Sequence, residues 1–520
     1  LSRAIPIVDT TPSPRLARRV FVVIIDGLRL DKSYELPFLD ELRRRGVDSE
    51  ASSHYPTWSR PNYVSILTGV PPSASGVRTN YHSTPVQLDS LMDRARSANL
   101  RVATATDYSP LPRLFLRRRG QVPQPPIVLE EISEYTEAEE PVEHGVVKPD
   151  ADLVSPFDDA RYAPWPGGFR EAGTALVNGN ADLVVMLVGA VDAAGHAHGA
   201  ASKQYREAAE SADHALARVF ARIDLERDAI IVTADHGHTN SGGHGGLEPE
   251  VVSVPFIAAG AGVVIDATTI DARLIDIAPT VAALLGIPAP GHGLGRTLLE
   301  VLAVDASARA QRDAADQYRL AGTRAVVAAA EARAAIDVLE HRAARIAIVL
   351  AGAALAIMLA VVLIKRRVLR LDLRVLLVTI PAFFVVYVGL IGTVGQFSPS
   401  LVPARGHIAG VLVRYGIAGM VVQLLASMWA LRGGERLGDR LASANGIAWT
   451  GLMLTMVPAG IVWAFFPPPY VVVPGPVWLV VIPAVQVAVA CAAINVALTL
   501  LVEVIVFTAR AWHRDARALD

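Results

Sequence analysis

The run VFVVIIDGLR (residues 20–29) decides the fold of this 520-residue chain. Six consecutive β-branched or aromatic residues predict a strand that is buried on both faces, and Asp26-Gly27 ends it with a turn. Four similar runs follow, separated by helical patterns: RVATATD (101–107), ADLVVMLVGAVD (181–192), DAIIVTADHG (228–237) and VSVPFIAAG (252–260). Together they predict an α/β domain in which a mostly parallel sheet is sandwiched by helices.

The second part of the chain has the composition of a membrane domain. Residues 344–520 hold 6 of the 50 acidic and 14 of the 48 basic residues, which makes this part +8 and the preceding part −10. We predict an all-α, multi-span domain of five helices, at 344–364, 375–396, about 406–431, 446–467 and about 477–509. The last stretch is long and contains Pro483 and Glu503, so four or six helices also fit.

Basic connectors predict how this domain is oriented. The basic connectors 365–374, 432–440 and 510–517 alternate with base-poor connectors at 397–405 and 468–476. Because positive loops favour the cytoplasmic side, we expect the C-terminus in the cytoplasm and the α/β domain outside it.

The chain therefore divides into four parts. They are an N-terminal tail (1–19), an α/β domain (20–305) with an insertion at about 108–168, a helical stalk (306–343) and the transmembrane domain (344–520). The chain begins at Leu1, and we expect that a signal or anchor has been removed. The negative charge of the first part argues against nucleic-acid binding, because phosphate-tracking surfaces are basic. The single cysteine, Cys491, lies in an apolar run, so a metal would need His and carboxylate ligands.

Such ligands occur in four short motifs, three of which follow predicted strands. Asp26 ends the first strand, Asp192 and His196 stand four residues apart in VGAVDAAGHAHG (188–199), Asp235-His236 ends IIVTADHGH (230–238), and His244 lies in SGGHGG (241–246). An Asp/His pair at that spacing suits a hard-to-borderline divalent cation. The neighbouring His54, His198 and His238 are expected in outer positions or at the surface.

A fifth motif supplies a hydroxyl group. In SSHYPTWSRPNYVSILTG (52–69), Pro61 and Gly69 bracket a predicted helix whose N-terminus lies at Ser59. The helix dipole favours an alkoxide or a bound phosphate there, although Ser59 could also be a simple N-cap. Beside a divalent cation the hydroxyl becomes a candidate nucleophile, with Thr57 as the alternative.

In this order the motifs resemble the alkaline-phosphatase superfamily, specifically its type I phosphodiesterase/nucleotide pyrophosphatase branch, over residues 20–300. The resemblance implies two divalent ions, most often zinc and with manganese also accepted. It assigns Asp26, Asp235, His236 and the Ser59 oxygen to one ion, and Asp192, His196 and His244 to the other. Asn80 matches a residue that binds a nonbridging phosphate oxygen. PVQLDSL (85–91) and the multi-span second part resemble, more loosely, the ethanolamine-phosphate transferases of glycolipid-anchor assembly.

The resemblance implies an extracytoplasmic, membrane-anchored phosphodiesterase or phosphotransferase that forms a phospho-serine and acts on a lipid-linked or envelope phosphodiester. Its partners would be that substrate and the lipid bilayer. One rival is a sulfatase or phosphonate hydrolase of the same superfamily, although SRPNY fits the CxPxR pattern of sulfatases poorly. Another rival is a catalytically dead binding domain on a transporter or lipid-handling membrane protein.

Overall fold

A computed structural model describes most of the chain. The described residues are 4–9, 13–118, 153–265, 270–393, 400, 418–419, 421–422, 425–426, 436–465, 497, 500–501, 504–510 and 512. They fall into two compact units, Leu1–Glu331 with Ser398–Pro403, and Ala332–Phe397 with Ala404–Asp520.

The first unit is built on an eight-stranded sheet with the order β10-β2-β9-β8-β1-β7-β3-β6. The described strands of this unit are β1 (Arg19–Ile25), β2 (Gly46–Ser52), β3 (Val102–Thr106), β4 (Arg117–Arg118), β5 (Leu153–Val154), β6 (Asp159–Tyr162), β7 (Leu183–Val188), β8 (Asp228–Thr233), β9 (Ser253–Gly260) and β10 (Ala272–Arg273). All seven residues of β1 are buried, because β1 lies between β7 and β8 with helices on both faces of the sheet.

The sheet is mostly parallel, as predicted, but not wholly so. Strands β6, β3, β7, β1 and β8 run parallel, whereas β9 is antiparallel to both β8 and β2. The apolar run 252–260 predicted a strand correctly but not its direction, because full burial gives parallel and antiparallel strands the same apolar pattern.

Helices surround this sheet and continue beyond it. The described α-helices are α1 (Leu30–Ser33), α2 (Pro37–Arg44), α3 (Ser59–Thr68), α4 (Pro72–Ser75), α5 (Leu91–Ser97), α6 (Pro110–Leu114), α7 (Gly167–Val177), α8 (Ala190–His198), α9 (Lys203–Val219), α10 (Pro249–Val252), α11 (Ile277–Leu285), α12 (Ala306–Glu340), α13 (Arg342–Lys365), α14 (Leu373–Thr393) and α15 (Leu437–Phe465). Two 3-10 turns lie at Leu274–Asp276 and Leu299–Val301.

The region predicted as an insertion contributes in part to the sheet itself. Residues 159–162 form β6, which pairs with β3 in parallel, and β5 pairs with β4. A lid or cap, which the sequence suggested over this edge of the sheet, falls on residues 119–152, which lie outside the described residues.

The predicted stalk is helical but does not stand free along its whole length. Helix α12 buries Asp316, Arg319 and Thr323 against the first unit, and the Arg319 guanidinium donates to the Gly295 carbonyl at 2.6 Å. The compact unit accordingly extends to Glu331 rather than ending near residue 305.

Part of the predicted membrane domain is described. Among the described residues one helix, α13, is long and apolar enough to cross a membrane, and it coincides with the first predicted span. Helices α14 and α15 overlap the second and fourth predicted spans. Most of the third and of the fifth predicted span falls outside the described residues, as do Cys491, Pro483 and Glu503. The five-span count stays a prediction.

Candidate active site

The carboxyl ends of β1 and β8 bring together the first group of candidate ligands. Asp26 follows β1 and Asp235-His236 follows β8, and the two strands are neighbours in the sheet. His236 Nε2 lies 3.4 Å from Asp26 Oδ1 and 3.3 Å from Asp235 Oδ2. The three side chains are almost completely buried and could hold one cation between them.

Each of these carboxylates has one oxygen bonded and one oxygen bare. Tyr63, on α3, donates its hydroxyl to Asp26 Oδ2, and the Gly27 N–H donates to Asp235 Oδ1 at 3.2 Å. Asp26 Oδ1 and Asp235 Oδ2 are buried without a hydrogen-bond partner among the described groups. Because an unsatisfied buried carboxylate oxygen is costly, these two atoms fit a bound cation.

The second group lies on α8 and on the glycine-rich loop after β8. His244 Nε2 is 3.0 Å from His196 Nε2 and 3.7 Å from Asp192 Oδ1, and His196 Nε2 is 3.6 Å from Asp192 Oδ2. The His236 and His244 rings stack with centroids 3.7 Å apart, which joins the two groups. The six predicted ligand side chains therefore converge on one edge of the sheet.

Hydrogen bonds fix which ring nitrogen of two histidines faces the centre. His236 Nδ1–H donates to the Gly237 carbonyl at 3.1 Å, and His244 Nδ1–H donates to the Thr57 carbonyl at 2.8 Å. In both neutral rings the lone pair is consequently on Nε2, the atom that faces the carboxylates. A backbone carbonyl holding the other ring nitrogen is typical of metal-ligating histidines.

His238 has the opposite tautomer. The Gly243 N–H donates to His238 Nδ1 at 3.2 Å, so the ring proton lies on Nε2, which donates to Asp192 Oδ1 at 2.7 Å. His238 is close enough to Asp192, His236 and His244 to share a cation with them. Its protonated Nε2 instead makes it a side chain that orients Asp192.

Burial and like charge disturb the ionisation of the group. Burial raises the pKa of Asp26 well above its usual range, and the nearby Asp235 carboxylate adds to this. Burial also raises the pKa of Asp235 to about 7 and lowers that of His236 to about 3. Burial alone would raise the pKa of Asp192, but the surrounding imidazoles hold it well below its usual range. A divalent cation between Asp26 and Asp235 would favour the ionised form of both carboxylates and so offset the effect of burial on their pKa values.

Ser59 is the first residue of α3, and its side chain does not cap the helix. The N-cap position belongs to Trp58, whose side chain makes no capping hydrogen bond. The Ser59 hydroxyl is buried and donates to His236 Nε2 at 3.2 Å, which places it beside the first group of ligands. The alternative nucleophile, Thr57, donates to the Gly246 carbonyl and accepts from the Gly245 N–H, both at 2.9 Å. Its hydroxyl thus holds the loop that carries His244.

Asn80 lies beside the start of α3. Its Oδ1 accepts from the Arg60 N–H at 3.0 Å, next to Ser59. The Arg60 guanidinium donates to Tyr108 Oη at 3.2 Å and to the His82 carbonyl at 3.0 Å.

Of the other histidines beside the motifs, His198 is exposed and His54 is half-buried, and neither contacts the ligands through a described hydrogen bond.

Sequence reasoning missed two supporting residues. Tyr63 appeared only as part of an apolar helical pattern, and its hydroxyl gave no signal of a bond to Asp26. Ser400 is buried in the first unit although it comes from a distant part of the chain, where its Oγ accepts from the Gly246 N–H at 2.8 Å and donates to Glu248 at 2.6 Å. No local pattern could have predicted a contact over 154 positions.

One family model covers the part of the chain that carries the candidate ligands. Residues 20–246 match the family model "Type I phosphodiesterase / nucleotide pyrophosphatase". This segment is therefore similar to domains of that family. It includes all the candidate ligands, Ser59 and Asn80.

Two of the curated relatives of this chain are GPI ethanolamine phosphate transferases. The chain is similar to mouse GPI ethanolamine phosphate transferase 1, with 27% identity over 330 residues, which is 55% of this chain and 33% of the relative. It is also similar to the human GPI ethanolamine phosphate transferase 2 catalytic subunit, with 24% identity over 56% of this chain and 29% of the relative. The chain thus spans about a third of the length of these relatives.

Solved structures resemble part of this chain more distantly. Murine ectonucleotide pyrophosphatase/phosphodiesterase 5 matches 52% of this chain and 96% of its own, with 13% identity and a TM-score of 0.38. An alkaline phosphatase matches 56% of this chain and 99% of its own, with 14% identity and a TM-score of 0.40.

Proposed function

We propose that this protein is a metal-dependent phosphodiesterase or phosphotransferase in which Ser59 is the nucleophile. One observation carries the proposal. The Ser59 hydroxyl, at the N-terminus of α3, lies 3.2 Å from His236, the residue that joins the two groups of candidate ligands. The match to the type I phosphodiesterase model and the transferase names of the relatives support the same class of enzyme.

The ligand assignment follows from the contacts described above. Asp26, Asp235 and His236 would hold one cation, and Asp192, His196 and His244 the other. Zinc is the first expectation because the donors are imidazoles and carboxylates, and manganese accepts the same set. When bound, the pair would lower the pKa of a coordinated hydroxyl and neutralise negative charge on a phosphate.

The chain's own groups then perform a two-step transfer. Ser59 Oγ attacks phosphorus and loses its proton to solvent, while the bond from phosphorus to the departing oxygen breaks and that oxygen takes up a proton. A water molecule or an acceptor alcohol next attacks the phospho-serine and releases Ser59. The helix dipole at the start of α3 favours the phosphate anion, and Asn80, whose Oδ1 accepts from the Arg60 N–H, would donate its amide N–H to a nonbridging oxygen.

We further propose that the substrate is a lipid-linked or envelope phosphodiester and that the enzyme is membrane-anchored with its catalytic domain outside the cytoplasm. Helix α13 supplies one apolar segment of spanning length, and the alternating basic connectors favour this orientation. The relatives are named GPI ethanolamine phosphate transferases, which suggests that the substrate of this protein is an aminoethyl phosphodiester.

The test uses the full chain purified in detergent. We expect about two divalent ions per chain by elemental analysis, and hydrolysis of bis(p-nitrophenyl) phosphate that a chelator abolishes. Ser59→Ala should lower turnover by on the order of a thousandfold or more, because no other hydroxyl replaces the nucleophile.

A matched control lies on the same helix. Ser65 is also buried, but its hydroxyl only donates to the Pro61 carbonyl at 3.1 Å, so Ser65→Ala should retain turnover. A protein that binds no divalent ion and cleaves no diester would refute the proposal. Full turnover in Ser59→Ala with loss in Thr57→Ala would move the nucleophile to Thr57 and leave the enzyme class standing.

A further inference from the structure

Asp107 lies between the elements that carry the nucleophile and the second group of ligands. It follows β3, which pairs with β7, and β7 leads into α8 with Asp192. Asp107 Oδ1 accepts from the Gly189 N–H at 2.7 Å, three residues before Asp192. The next residue, Tyr108, accepts from the Arg60 guanidinium at 3.2 Å, and Arg60 follows Ser59. Asp107 therefore borders the site on the side opposite to the histidine-rich loop.

The Asp107 carboxyl group is buried without an opposite charge. It is 9% exposed, and within the described part of the chain it forms no ion pair. Other buried aspartates outside the ligand groups are compensated: Asp89 pairs with Arg94, Asp228 with Arg18 and Arg19, Asp276 with Arg273, Asp316 with Arg319, and Asp213 accepts two backbone N–H groups. Burial raises the pKa of Asp107 to about 7, and the hydrogen bond from Gly189 offsets this only in part.

A structural role explains only part of this arrangement. Gly189 is the N-cap residue of α8 and has no side chain, so the bond from its N–H to Asp107 helps to fix the start of that helix. A neutral acceptor would serve equally well for this purpose. A carboxylate at such a position is costly unless a cation meets it. A positively charged group of the bound substrate would supply this cation next to Asp107.

We propose that Asp107 binds a primary ammonium group of the substrate and so selects aminoalkyl phosphodiesters over uncharged ones. This inference rests on the proposed function and names a specificity-determining residue for it. An ammonium group can donate to the carboxylate oxygens of Asp107 while the phosphate of the same molecule lies at Ser59.

The test compares two soluble substrates of equal size with the full chain in detergent. One is p-nitrophenyl 2-aminoethyl phosphate, and the other is p-nitrophenyl propyl phosphate, which replaces the ammonium group with a methyl group. We expect the wild-type kcat/KM to favour the aminoethyl diester by about ten- to a hundredfold, the strength of a hydrogen bond between charged groups. Asp107→Asn keeps an oxygen for Gly189 and removes the charge, so it should bring that ratio close to one, chiefly by lowering kcat/KM for the aminoethyl diester.

Two further variants keep the result interpretable. Asp159→Asn makes the same chemical change on β6, the strand beside β3, at a carboxylate that pairs with Arg161, and should keep the wild-type ratio. Asp107→Glu keeps the charge and should retain part of the preference, which a purely structural role would not predict.

The outcomes separate the two proposals. Equal rates on both diesters in the wild type, or an equal loss on both in Asp107→Asn, would overturn the ammonium site while the phosphodiesterase stands. Cleavage of neither diester by metal-loaded wild type would overturn the proposed function itself. If Asp107→Asn does not fold, the ratio measured in Asp107→Glu and Asp107→Ser decides, and an unchanged ratio in Asp107→Ser refutes the inference.

Discussion

Replacement of His238 by alanine should weaken cation binding at the second group of ligands without touching a ligand. His238 Nε2–H donates to Asp192 Oδ1 at 2.7 Å and so holds that carboxylate. His238 Nδ1 accepts from the Gly243 N–H at 3.2 Å and so holds the loop next to His244. Loss of a bond to a charged acceptor costs about 1.5–3 kcal/mol. Such a loss corresponds to roughly a ten- to hundredfold weaker affinity for the second cation, as is typical of residues that orient metal ligands.

The assay is competition of the purified protein against a chromogenic chelator, which resolves the two cations by their affinities. His238→Gln places an amide N–H close to the position of Nε2 and should recover part of the affinity. His198→Ala removes an exposed histidine from α8 and should behave as wild type. Retention of both cations with wild-type affinity in His238→Ala would refute the orienting role.

Three further perturbations test other parts of the site. Tyr63→Phe leaves the buried Asp26 Oδ2 without its donor and should lower the free energy of unfolding by about 1–3 kcal/mol in urea titrations; an unchanged midpoint would contradict this. Ser400→Ala removes the acceptor of the Gly246 N–H and should cost about 1–2 kcal/mol in the same measurement, with Ser253→Ala on β9 as a surface control; equal stability of the two variants would count against it. Asp107 keeps its proton to a higher pH in the folded than in the unfolded chain, so its contribution to stability falls as pH rises from about 4 to about 7, whereas the asparagine of Asp107→Asn does not titrate. Relative to wild type, the free energy of unfolding of Asp107→Asn should therefore increase by up to about 4 kcal/mol between about pH 4 and about pH 7. A difference between the two proteins that does not change with pH would contradict the raised pKa.

Much of the sheet could be predicted from the sequence because the central strands are buried on both faces. Runs such as 20–25 and 183–188 are apolar throughout, and the polar residues that follow them mark the edge where loops collect. Strand β2 was missed, because GVDSEAS (46–52) is polar and its strand character comes from pairing with β9. The strand conformation of residues 46–52 therefore results from tertiary contacts and not from the composition of the segment.

The ligand positions could be predicted for a similar reason. Asp26 and Asp235 each end an apolar strand, and parallel neighbouring strands bring such ends together. The contributions of Tyr63 and Ser400 depend on hydrogen bonds between distant segments, which leave no periodic trace in the sequence. His238 was expected outside the ligand set, but its bond to Asp192 was not predicted. Asp107 ended a predicted strand, but its lack of a counter-charge could be recognised only once its neighbours were placed.

The first group of ligands links the stability of the domain to the ions it would bind. Asp26 and Asp235 lie together in the core, where burial favours their protonated forms. Repulsion from Asp235 adds to this effect on Asp26, and repulsion from Asp192 adds to it on Asp235. A divalent cation needs both carboxylates ionised, so uptake should release protons and reverse the repulsion in one event. Tyr63 and Gly27 bind the outer carboxylate oxygens in either state, which keeps the inner oxygens aimed at His236. The fold therefore supplies the geometry of the site in advance, and we infer that the free energy of cation binding supplies the charge balance that the buried carboxylates lack.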